Sequence, residues 1–85
     1  MRLAQQTMRV HVRLFSRFRE HLPAEARGVA TIDLPDGATL GDVVVRLGIV
    51  RRVQLITVND LPETDFTRPL GEGDSVRIFP FVVGG

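Results

Sequence analysis

An α+β fold, with one main helix packed on one face of a mixed sheet of four to five strands, is predicted by three features of this 85-residue sequence. Apolar residues alternate with period two in an early stretch and again after a polar connection; one later stretch has helical spacing; an apolar run closes the chain. The order is strand, strand, helix, strand, irregular segment, strand. The chain is too short for helices on both sheet faces, so two layers are the economical solution, in the order of the β-grasp architecture. The first and last strands are expected to be parallel central neighbours, which accounts for the apolar character of the last.

Residues 1–7 read as a loose extension, 8–81 as the folded domain and 82–85 as a flexible tail. In residues 8–15, Met8, Val10, Val12 and Leu14 fall on one face and Arg9, His11 and Arg13 on the other, the mark of a half-buried strand. Residues 16–22 predict a short helical turn ended by Pro23, with Phe18 and Leu22 four apart over one edge of the core. A polar connection, 24–28, leads to a second alternating strand with Ala30, Ile32 and Leu34 inward, stopped by the turn sequence Pro35-Asp36-Gly37.

Thr39 is placed as a helix N-cap with Asp42 three residues on, a variant of the capping box that sets a carboxylate in the first turn. Leu40, Val43, Val44 and Leu47 have helical spacing and Gly48 suits the position past the C-cap. Three consecutive valines are indifferent helix formers, so packing must hold this helix. Residues 53–58 read as a third strand with Ile56 and Val58 inward and Leu55 outward, followed by a turn at Asn59-Asp60. Residues 61–70 hold two prolines and three charges and predict an irregular excursion with one short strand or helical turn, pinned to the core by Phe66 and Leu70.

Composition narrows the chemistry. There is no cysteine, so disulfides, thiolate metal sites and cysteine nucleophiles are excluded, in keeping with a reducing compartment. No stretch has the length and apolar character of a membrane span, and a cytoplasmic protein is expected. All eleven basic side chains other than histidine are arginine and six of them precede Val29, whereas acidic residues gather between Asp60 and Asp74. Such a dipolar surface suits a protein partner; neither a nucleic acid nor a membrane is expected. Lacking lysine, the chain cannot serve as its own isopeptide acceptor.

The closing stretch runs from the turn Gly71-Glu72-Gly73-Asp74 through Val76, Ile78 and Pro80 to Gly84-Gly85. The turn precedes a strand, where a phosphate loop needs a helix N-terminus, so a phosphate cradle is not expected. His11 and His21 sit apart with no further metal ligands, and Ser16 and Ser75 have no base at suggestive spacing; no metal site and no catalytic triad are expected. With Val76, Ile78 and Pro80 facing the helix, Phe79 and Phe81 are expected to face outward with Leu55, as a docking patch to which Arg13 adds a cation. The competing expectation is that Phe79 or Phe81 caps the core against Phe15.

The ordered set Val12-Arg13-Leu14-Phe15, Phe18 to Pro23, Leu34-Pro35-Asp36-Gly37-Ala38-Thr39-Leu40-Gly41-Asp42-Val43, Leu55 to Asn59, and Leu70-Gly71-Glu72-Gly73-Asp74 running to Gly84-Gly85 resembles the ubiquitin-like sulfur carriers of the ThiS and MoaD family. The resemblance covers nearly everything from Met8 onward. The bulkier Phe79-Pro80-Phe81-Val82-Val83 departs from family tails, which often have two prolines and a small residue before the glycines.

The resemblance implies a protein substrate and not an enzyme. Gly85 would be the acyl donor, adenylated by an ATP-dependent, ubiquitin-activating-like enzyme and converted by a sulfur donor to a thiocarboxylate, with Gly84 keeping the carbonyl uncrowded. No bound cofactor is expected; ATP and the sulfur donor belong to the partner reaction. The acceptor implied is a synthase large subunit, as in molybdopterin formation, or a thiazole synthase. A cysteine-pathway carrier and a non-covalent β-grasp interaction module are the alternatives.

Overall fold

The computed structural model describes residues 6–49 and 53–80. Five strands form one sheet: β1 (Thr7–Leu14), β2 (Val29–Pro35), β3 (Val53–Val58), β4 (Leu61–Pro62) and β5 (Ser75–Pro80), in the order β2-β1-β5-β3-β4. β1 and β5 are parallel central neighbours and every other pairing is antiparallel, as the closing apolar run implied. One α-helix among the described residues, α1 (Leu40–Arg46), covers one face, where Leu40, Val43 and Val44 join Val10, Val12, Leu14, Ile56, Val58, Val76 and Ile78 in one core.

β1 alternates without a break, its even residues buried and its odd ones exposed. It begins at Thr7, one residue inside the expected extension, because Thr7 already pairs with Pro35 and the Gln6 carbonyl accepts from the Asp36 amide. Residues 16–21 form a 3-10 turn that carries Phe18 into the core, with Leu22 packed partly against it. The connection after Pro23 is more ordered than expected: a second 3-10 turn (Ala24–Ala26) ends at Arg27 and Gly28, both left-handed at φ 54° and 78°.

Thr39 caps α1 reciprocally. The Asp42 amide donates to Thr39 Oγ1 at 3.3 Å and the Thr39 amide donates to Asp42 Oδ2 at 2.8 Å. The next free amides, Leu40 and Gly41, donate to the carbonyls of Arg68 and Phe66, so the loop of residues 63–70 completes the cap. At the other end Gly48 (φ 74°) donates to the Val45 carbonyl and Ile49 to that of Val44, the two bonds of a Schellman ending, with Ile49 buried beneath. Replacing Thr39 by alanine is expected to cost about 1 kcal/mol of unfolding free energy in chemical denaturation. A loss under about 0.3 kcal/mol would show that the loop carbonyls hold the helix start unaided.

That loop corrects one expectation. Leu70 is buried as anticipated, but Phe66 is 42% exposed and does not enter the core. Asp65 accepts from both the amide and the hydroxyl of Thr67, a tight turn that points the Phe66 side chain outward while its carbonyl serves α1. The same donors keep the Asp65 carboxyl below its ordinary range; Glu63 is lowered by the Asp65 amide and then by Arg68 at 2.9 Å. The excursion contributes the fifth strand, β4, entered through Asn59 and Asp60, both at positive φ in a tight hairpin turn.

Candidate functional site: the open sheet face and the end of β5

α1 leaves the second face of the sheet uncovered. On it stand Arg9, His11 and Arg13 of β1, Thr31 and Asp33 of β2, Arg77 and Phe79 of β5, and Leu55 and Thr57 of β3. Two of its cations are paired, Arg9 with Asp33 at 3.1 Å and Arg77 with Asp60 at 3.7 Å. The hydrogen bond and charge of Asp33 raise the Arg9 pKa. Both pairs are largely solvent-exposed and contribute little to stability. Arg13 has no carboxylate within salt-bridge distance among the described residues and instead lies over the Phe15 ring, 5.4 Å from its centroid.

Phe15 in turn stacks on Phe79, with centroids 4.2 Å apart and planes 11° from parallel. Arg13, Phe15 and Phe79 thus form one stack across β1 and β5, with Leu55, 39% exposed, on β3 opposite Phe79 in register. Phe79 does face away from the helix, as alternation requires, but it is half-covered by Phe15. The competing expectation of a Phe79–Phe15 contact is met in the pairing of the two rings, but they meet on the open face and do not cap the core. A bulge between Val53 and Leu55 shifts the β3 register, so Leu55 meets Phe79 while Val53 meets Pro80. Phe81, Gly84 and Gly85, together with most of the expected extension and tail, lie outside the described residues.

The start of β5 is anchored from three sides. The Arg9 amide donates to Glu72 Oε1 at 2.8 Å, the Gly73 amide to the Arg9 carbonyl and the His11 amide to the Asp74 carbonyl. Asn59 and Asp74 interlock, Asn59 Nδ2 donating to Asp74 Oδ1 and the Ser75 amide to Asn59 Oδ1, each at 3.0 Å. Gly73 at φ 81° lets the chain make this turn. A central strand clamped at its first residue holds its last, Pro80, in a defined place. Among the described residues there is no cluster of His, Cys, Asp or Glu able to hold a metal, and no helix long and apolar enough to cross a membrane.

One helix across a five-stranded mixed sheet, an uncovered opposite face and a central closing strand define a small ubiquitin-like β-grasp protein. The chain belongs to the Mut7-C ubiquitin family, whose model matches residues 7–83. It is similar to a putative molybdopterin converting factor subunit 1 from Pyrococcus furiosus, with 25% identity, 88% of this chain and 99% of that one covered, and a TM-score of 0.69. This agrees with the ThiS and MoaD resemblance of the sequence.

Two further structures share the fold. The small archaeal modifier protein 1 of H. volcanii is 18% identical, with 88% of this chain and 99% of that one covered and a TM-score of 0.70. A chain from the complex of subunits 1 and 2 of the Helicobacter pylori molybdopterin-converting factor is 24% identical, with 92% and 100% covered and a TM-score of 0.62. No curated protein matches the sequence.

Proposed function

We propose that the protein is a sulfur carrier whose Gly85 carboxylate is adenylated by an ATP-dependent activating enzyme and then converted to a thiocarboxylate. The observation that carries this reading is the path of β5: a clamped central strand leading, five residues after Pro80, to Gly84-Gly85. A carboxylate is a poor electrophile because its charge is shared over two oxygens; adenylation supplies a leaving group. A sulfur nucleophile then takes the acyl carbon, and AMP departs with the bonding pair. The thiocarboxylate keeps sulfur on a protein until an acceptor enzyme uses it, most closely in the manner of a molybdopterin synthase small subunit with its large subunit. The similarity to a putative molybdopterin converting factor subunit supports that pathway.

Intact mass after incubation with ATP, a sulfide source and an activating enzyme tests the reading. The expected result is exchange of one oxygen for sulfur, located at Gly85 by fragmentation. An unchanged mass, with the same enzyme loading a cognate carrier, would favour the non-covalent interaction module instead.

The partner is expected to dock on the open face, around Phe79, Leu55 and Arg13. Leu55→Glu and Phe79→Glu should each weaken binding to the activating enzyme by about tenfold or more, since a central apolar anchor is worth roughly 2 kcal/mol. Leu55→Glu should leave the unfolding midpoint nearly unchanged, and Phe79→Glu should cost about 1 kcal/mol through the lost stack on Phe15. Wild-type affinity in both variants by titration calorimetry would move the docking site elsewhere.

A further inference from the structure

β2 is the outermost strand on its side of the sheet, and among the described residues no strand pairs with its outer edge. Which of its backbone groups face that edge follows from the bonds at its two ends. The Leu14 amide donates to the Gly28 carbonyl and the Asp36 amide to the Gln6 carbonyl, in the same register that sets Met8 opposite Leu34 and Val12 opposite Ala30. In an antiparallel pair, residues that exchange these bonds alternate with residues that turn away. The even-numbered residues of β2 therefore bond to β1, and Val29, Thr31 and Asp33 turn their N–H and C=O groups outward.

The edge is blunted at one end only. Toward the end of β2, Arg46 Nη1 donates to the outward Asp33 carbonyl at 3.3 Å, and Pro35 has no N–H to offer. At the start of the strand no hydrogen bond crosses the edge to the N–H or C=O of Val29 or Thr31 among the described residues, and Val29 is half-exposed.

The unblunted start leads into a cationic cleft. Arg27 and Gly28, which run directly into Val29, line it with Arg19 and Leu22. The Arg19 stem lies on the Gly28 backbone, since a Cβ at Gly28 would stand 3.0 Å from Arg19 Cγ and 3.3 Å from its Nε. Both guanidinium groups are thus carried at the start of β2. Neither has a carboxylate within salt-bridge distance among the described residues, although Glu20 lines the same cleft. Two strand residues span about 7 Å, so Arg27 is within a side chain's reach of any segment paired with Val29.

We propose that the start of β2 takes an extended segment of a partner protein as an added strand, its backbone pairing with Val29 and Thr31 and a carboxylate side chain just beyond meeting Arg19 and Arg27. Main-chain bonds give such an addition its affinity, and the flanking side chain gives it specificity. The specificity is acidic because the guanidinium fork matches a carboxylate. A second copy of this chain fits less well: paired antiparallel about Thr31, each Val29 amide would face an Asp33 carbonyl that Arg46 already holds. The surface is two strands away from Phe79 and does not depend on Gly85 as an acyl donor.

Short peptides displayed on phage and selected on the full chain test this without assuming a partner sequence. Enriched peptides are expected to carry Asp or Glu beside an alternating apolar stretch. For a synthetic copy of the leading peptide, the double variant Arg19→Gln/Arg27→Gln should weaken binding by about tenfold or more, the scale of a charge-assisted hydrogen bond. Thr31→Pro should abolish binding, since it removes an outward N–H from an edge position where proline is tolerated. Thr31→Ala keeps that N–H and should bind as wild type does. In amide exchange followed by NMR, Val29 and Thr31 should exchange freely in the protein alone and become protected when the peptide is added, a readout that needs no variant to fold. The proposal is overturned if no peptide is enriched, if the enriched peptides bind the double arginine variant as tightly as wild type, or if exchange at Val29 and Thr31 is unchanged by the peptide. Protection of these two amides that rises with protein concentration alone would also overturn it, in favour of a second copy.

Discussion

Phe18→Ala is expected to lower the free energy of unfolding by about 3–5 kcal/mol, the range for truncating a buried phenylalanine. Phe18 is fully buried and is the largest such side chain among the described residues. It is brought inward by the 3-10 turn of residues 16–21, whose Phe18 amide donates to the Phe15 carbonyl, and His21 meets the edge of its ring at 6.0 Å. A chain of 85 residues has a total stability of roughly 4–13 kcal/mol, so the substitution removes a large share of it. Urea denaturation of the variant beside Phe66→Ala provides the check. Phe66, half-exposed on its loop, should cost under about 1 kcal/mol. Equal losses would show that the 3-10 turn is not part of the cooperative core.

Gly28→Ala is expected to cost about 3 kcal/mol. At φ 78° any side chain is disfavoured by about 1–2 kcal/mol. A Cβ would also stand 2.6 Å from the Leu14 carbonyl oxygen, and backbone cannot swing aside as a side-chain tip can. The Gly28 carbonyl accepts from the Leu14 amide at 2.7 Å, so relief of the clash would strain the end of β1 that flanks β5. Forced repacking of that kind adds roughly 1–3 kcal/mol. Gly37→Ala separates the two effects: its φ is 87° with nothing within 4 Å of a Cβ, so it should lose only the conformational part. Equal midpoints for the two alanine variants in guanidinium would show that the close approach to Leu14 is unimportant.

These two positions differ in how far they can be read from sequence. Phe18 is legible, because its spacing from Leu22 and the stop at Pro23 are local. Gly28 is not: its neighbour at 2.6 Å is fourteen residues away, and only the pairing of β1 with β2 brings the two together. Gly41 is similar, its open side filled by the Phe66 carbonyl, 3.2 Å from where a Cβ would stand. Apolar character alone placed Phe66 inward; the turn chemistry of Asp65 and Thr67 overrode it. The outward face of Leu55 followed from alternation, whereas its meeting with Phe79 depends on a bulge in β3.

The sequence by itself determined the strand and helix faces, the capping of α1 by Thr39 and Asp42, the stop at Gly48 and the parallel placing of the last strand. The faces, cap and stop depend on periodicities and turn residues within a few positions of one another, and the parallel placing on the order of the elements along the chain. It also supplies the arginine-only chemistry and the Gly84-Gly85 pair on which the carrier reading depends. Only the tertiary structure decided that Phe15 would stack on Phe79, that Arg13 would lie over that stack, and that loop carbonyls from residues 66 and 68 would finish the helix cap. Those contacts join residues from 13 to 79 through strand register, and a one-residue slip would turn every side chain of a strand to the other face.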